Sequence, residues 1–145
     1  MRRRTHSPPG YRGGMTEAAS VRRSALSWPW ALGIDAVLVI VFAAIGRASH
    51  EHTLDALGVL ETAWPFLVGL AAGWLVLRAW RAPAAPLRTG AGLVVITVVL
   101  GMILRVVTGG TTAVAFIIVA TITLLVFLVG WRGIAALIAR ARARR

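Results

Sequence analysis

Cysteine is absent from this 145-residue chain. That excludes disulfides, thiolate nucleophiles and iron–sulfur clusters. Lysine is absent too: all sixteen basic residues are arginine, a bias of GC-rich coding that bears on origin and not on mechanism. Negative charge is scarce, with five Asp and Glu, and charged residues make up 14% of the chain against 58% hydrophobic. A soluble domain this small cannot hide so much apolar surface, and too few polar side chains remain to cover it. Polar–apolar alternation is missing from the long apolar runs, which excludes a β-barrel. Nucleophile elbows, phosphate loops and HExxH motifs are missing as well, and from residue 27 onward the only serines are Ser27, just before the first apolar run, and Ser49.

What is present instead is four apolar runs of membrane-spanning length, at about 28–46, 57–80, 89–107 and 112–131. About twenty residues rising 1.5 Å each cross a hydrocarbon core of roughly 30 Å. In lipid, an α-helix satisfies its own backbone hydrogen bonds. The expected fold is an all-α membrane protein: four transmembrane helices in two antiparallel hairpins, forming one domain over 28–131. Residues 1–27 carry six arginines with Pro8, Pro9, Gly10, Gly13 and Gly14, the composition of a disordered basic tail. The first apolar run starts too late and lacks a small-residue cleavage site, so a signal peptide is not expected; Met15 offers a second start. Residues 132–145 form a second basic tail. There Ile134, Leu137 and Ile138 alternate with arginines in the pattern of a helix end leaving the bilayer along anionic headgroups.

The net charge of +11 raises the question of nucleic acid, but the arginines lie between the apolar runs and at the chain ends. Such placement sets orientation in a membrane and needs no nucleic acid. With the N-terminus inside, fourteen arginines fall on the inner side and two, Arg47 and Arg105, on the outer side. Both termini are therefore expected in the cytoplasm, with the protein multi-pass in the plasma membrane.

Charge inside lipid is costly, so intramembrane polar residues are the place to look for function. Asp35 lies roughly 10 Å inside the inner boundary, counting from Trp28. Its helical face carries Leu38, Val39, Phe42 and Gly46 and is expected to pack inward. Thr97, Thr121 and Thr123 fall near mid-membrane and offer hydroxyls to Asp35, while Arg78 near the inner boundary offers a cation. A carboxylate left unpaired in low dielectric favours its protonated form and could carry protons; a paired one locks helix packing. Glu61 and Arg105 fall at similar depth near the outer boundary and form a candidate ion pair. Pro65 either frees the Glu61 carbonyl or marks the first helical turn. The outer loop brings Arg47, His50, Glu51 and His52 together with Asp55, but four metal ligands at defined spacing are not there. Gly69 and Gly73 form a GxxxG that suits a homodimer or internal packing.

Two stretches echo one another: Thr62-Ala63-Trp64-Pro65-Phe66 with Thr112-Ala113-Val114-Ala115-Phe116, and Trp80-Arg81 with Trp131-Arg132. They read as a duplicated hairpin or as recurring interface residues. Asp35, the run Gly46-Arg47-Ala48-Ser49-His50, Thr62-Ala63-Trp64-Pro65-Phe66 and Gly101-Met102-Ile103-Leu104-Arg105 together resemble an uncharacterised family of small actinobacterial membrane proteins, domain of unknown function 3054. The resemblance covers about 28–131 and leaves out both tails. It implies four spans and a plasma-membrane home, and no activity.

A non-enzymatic membrane protein without cofactor or bound metal is the expectation, structural or accessory to a partner. Its partners are then the bilayer, anionic headgroups at both arginine-rich tails and a possible second copy. The alternative is a small proton-coupled transporter using Asp35, by architectural analogy with the small multidrug-resistance proteins.

Overall fold

The computed structural model describes residues 27–50, 55–110 and 112–144, with the side chains of 49 and 50 left out. All regular structure among them is helical. Helix α1 is Trp28–His50, α2 is Ala56–Val76, α3 is Gly92–Val107 and α4 is Val114–Ala143. A 3₁₀ turn, Ala79–Arg81, and a π-helical turn, Pro86–Ala91, lie between α2 and α3. Four helical segments have the length and apolarity to cross a membrane, the third being the π-helical turn and α3 together, Pro86–Val107, and the protein is a multi-pass membrane protein. The tail at 1–26 lies outside the described residues.

Local chemistry sets the helix ends. Asp55 caps α2, its Oδ1 accepting from the Gly58 N–H at 2.6 Å. Gly109 ends α3 at φ +83°. There the Gly110 N–H donates to the Arg105 carbonyl and the Gly109 N–H to the Val106 carbonyl, the two bonds of a Schellman cap. At the end of α2, Arg78 takes the left-handed conformation (φ 48°, ψ 49°), which turns the chain sharply out of the helix. Pro65 sits inside α2, well past its first turn, so the helix runs through it without the hydrogen bond to the Glu61 carbonyl.

Contacts between helices run in opposite registers. Along α1 and α2, Asp35 meets Trp74 and Phe42 meets Phe66. Along α2 and α3, a Cβ on Gly69 would meet Thr97, and one on Gly73 would meet Leu93. α1 and α2, and likewise α2 and α3, therefore pack antiparallel. The α2–α3 crossing is close because the glycines carry no side chain: Gly101 faces the Phe66 ring, and Gly69 lies against the Thr97 backbone. The GxxxG stripe is thus used inside the chain.

Phe42, Phe66 and Phe116 form an aromatic cluster, with Phe42 edge-on to Phe66 at 5.2 Å. Val39, Leu70, Leu93, Leu124 and Leu128 fill the core around them. Large apolar side chains also cover the outside: Val37, Val41, Val68, Val99, Val119 and Leu125 are all exposed. An apolar exterior around a partly polar interior suits lipid and not water.

Three helix ends differ from expectation. α1 runs on to His50, past the expected end at 46, regular α2 stops at Val76, and α4 runs on to Ala143, not stopping near Trp131. At about 45 Å, α4 is longer than the roughly 30 Å hydrocarbon core. The residues expected to form a separate tail from 132 are its last turns. The sequence echoes also part company, because Thr62 lies inside α2 whereas Thr112 precedes α4.

Candidate functional site

Asp35 is fully buried on the inward face of α1, with Ala31, Val39, Phe42 and Ala43. Its partners come from two other helices, α2 and α4. Arg132, early in α4's second half, is also fully buried and meets it end-on: NH1 donates to Oδ1 and NH2 to Oδ2, both at 2.7 Å. The planar guanidinium matches the carboxylate fork, giving a bidentate, charge-assisted pair. Two indoles complete the carboxylate's shell. Trp131 Nε1 donates to Oδ1 and Trp74 Nε1 to Oδ2, each at 2.9 Å. Each oxygen therefore accepts two hydrogen bonds.

Arg132 is held as firmly on its other side. NH1 also donates to the Leu128 carbonyl at 2.7 Å, and Nε donates to the Pro83 carbonyl at 2.9 Å. The guanidinium carbon lies 4.5 Å from the centre of the Trp131 ring, a favourable cation–π distance. The α2–α3 connection supplies Pro83, and its irregular backbone makes this possible. Thr89 Oγ1 donates to the Ala82 carbonyl at 2.7 Å and pins the loop. Gly90, in the π-helical turn, leaves room for the arginine stem: a Cβ there would stand 3.2 Å from Arg132 Cδ. π-Helical turns recur where a backbone must bend around a functional group.

The other sequence candidates fall elsewhere. Arg78 does not reach Asp35; its left-handed backbone leaves it exposed at the turn. Thr97 is fully buried at the α2–α3 crossing, its hydroxyl without a partner among the described residues. Thr123 is half-buried, and Thr121 donates to the Ile117 carbonyl in its own helix. No threonine bonds Asp35, because arginine and indole donors take both oxygens. Glu61 is exposed on α2, and no ion pair among the described residues joins it to Arg105. Arg105 lies instead over the Phe116 ring at 4.9 Å.

Arg47 pairs with Asp55 at 3.1 Å across the α1–α2 connection. The Asp55 carboxyl is held below its ordinary value, first by the Gly58 backbone N–H and then by the Arg47 charge. His52 lies outside the described residues, as does the side chain of His50.

Sequence reasoning missed Arg132, Trp74, Trp131 and Pro83. An arginine at the end of an apolar run resembles an interface anchor, and so does a tryptophan. One signal was present. Ile134, Leu137 and Ile138 continue the apolar pattern past Arg132, which places that arginine inside a helix and not after it.

Among known proteins, the family model described as protein of unknown function (DUF3054) matches residues 32–135. The match takes in every member of the ion-pair cluster. No curated protein and no solved structure matches the chain.

Proposed function

We propose that this chain, which belongs to the DUF3054 family, is a non-enzymatic plasma-membrane protein in which the Asp35–Arg132 pair locks the bundle. The lock holds a surface for a membrane partner. One observation carries this reading: both oxygens of Asp35 are met by four donors at 2.7–2.9 Å, inside a site closed to solvent. A buried charge so fully satisfied specifies one helix arrangement and has no lone pair directed at a substrate. The arginine asymmetry supports a topology with both termini cytoplasmic. The basic end of α4 then lies against anionic headgroups of the inner leaflet.

A second reading has one observation in its favour. The pair abuts the irregular segment between α2 and α3, where a 3₁₀ turn and a π-helical turn replace continuous helix. Such broken backbone beside an intramembrane charge also serves small transporters, where Asp35 would exchange Arg132 for a proton.

Flux into proteoliposomes under a proton gradient separates the two readings. The structural reading expects no proton-coupled flux from the wild type and a loss of stability in Asp35→Asn. Flux that disappears in an Asp35→Asn protein of unchanged fold favours the transporter.

A further inference from the structure

At the end of the bundle that holds the ion pair, α1 and α2 part to leave an apolar groove of about 520 Å³ lined by Trp28, Leu32, Ala71, Trp74, Leu75 and Trp80. That volume lies in the range of sites for small amphiphiles. Trp74 forms the buried floor, while Trp28, Leu75 and Trp80 are exposed at the rim. The 3₁₀ turn brings Trp80 to the groove. Its geometry depends on the left-handed Arg78, a strained conformation for a residue with a side chain. Hydrogen bonds from the Arg81 N–H to the Arg78 carbonyl and from the Ala82 N–H to the Ala79 carbonyl hold it.

Charge identifies the occupant. Arg78 and Arg81 flank Trp80 and are both exposed, and among the described residues no ion pair takes either one. The three acids in the described residues lie elsewhere. Asp35 is saturated by Arg132, Asp55 pairs with Arg47, and Glu61 sits in the first half of α2, towards the opposite end. An apolar slot at headgroup depth, rimmed by indoles and by exposed arginines, is complementary to a chain with an anionic head. Basic pockets between transmembrane helices bind such lipids.

We infer that this groove holds one acyl chain of an anionic phospholipid, whose phosphate is met by Arg78 and Arg81. The groove shares Trp74 with the ion-pair cluster, the indole N–H donating to Asp35, and its occupant is the same whether that pair locks the bundle or carries protons.

Native mass spectrometry tests this on the full chain, released from nanodiscs of equal phosphatidylglycerol and phosphatidylcholine. The expected result is one phosphatidylglycerol retained per chain, with phosphatidylcholine lost. Retention should fall about fivefold for Arg81→Gln and roughly thirtyfold for Arg78→Gln with Arg81→Gln. Ala71→Phe, which fills the groove and leaves both arginines, should abolish it. Equal retention of the two lipids by the wild type overturns the inference with no variant needed. So does undiminished phosphatidylglycerol in Ala71→Phe, or a lipid-free dimer whose interface covers Trp28 and Trp80.

Discussion

Arg132 and Asp35 stand 97 residues apart in the chain and meet through two 2.7 Å hydrogen bonds, with neither side chain exposed. The first and last helices are thereby tied at one end, and Pro83 brings the α2–α3 connection into the same knot. Removing one partner leaves the other charged, buried and alone. Asp35→Asn or Arg132→Gln should therefore each destabilise the protein by about 3–5 kcal/mol. Replacing both, as Asp35→Leu with Arg132→Met, should cost less than either single change, because no orphan charge remains. Reversible unfolding in mixed micelles, followed by circular dichroism, gives the cycle. A double variant less stable than both singles would contradict it.

The glycines separate into two kinds. At Gly69 a Cβ would stand 2.8 Å from the Thr97 carbonyl oxygen, a backbone atom that moves only with its helix. Gly69→Ala should cost about 1–3 kcal/mol through overpacking. Gly33 in α1 has nothing within 4 Å of the added carbon, and Gly33→Ala should stabilise by about 0.5–1 kcal/mol from helix propensity. Thermal midpoints in one detergent decide the signs, and a like response from both variants refutes the assigned crossing.

Acid should loosen the start of α2. Bonding to the Gly58 N–H, and then the Arg47 charge, lower the Asp55 carboxyl from 3.8 in the folded protein. A depressed folded value stabilises the fold above the unfolded value, so the contribution is complete at neutral pH. It is lost as pH falls below 3.8 and through the folded value. Amide exchange at Leu57, Gly58 and Val59 should quicken over that window. Asp55→Asn keeps a capping oxygen without the charge and should remove the pH dependence, leaving the helix start in place.

A chain without cysteine gives a clean background for accessibility labelling. Ala113→Cys, just before α4, should react with a membrane-impermeant maleimide on intact cells. Leu87→Cys, in the connection between α2 and α3, should react only after permeabilisation. The reverse pattern would invert the topology drawn from the arginines.

How far the site could be read in advance varies residue by residue. Asp35 stood out because a lone acid in an apolar run is conspicuous, and its face was legible from the 3.6-residue period. Its neighbours were not. Trp74 and Trp131 are common interface residues, and only their distance from Asp35 in space makes them donors. Glu61 and Arg105 shared a depth, but depth leaves the angle around each helix open, and the rotation of α2 turns Glu61 outward.

The chain's composition and the length of its apolar runs were enough to determine a four-helix membrane protein, because solvation by lipid and a backbone bonded within each helix are local properties. The sequence was also enough to reveal the lopsided arginines and the acid on the first helix. Only the tertiary structure decided that Arg132 is a core residue, that Pro83 turns its carbonyl inward, and that the Gly69–Gly73 stripe is spent on α3. Each depends on how helices distant in sequence rotate and slide against one another, and that is settled by packing across the whole bundle.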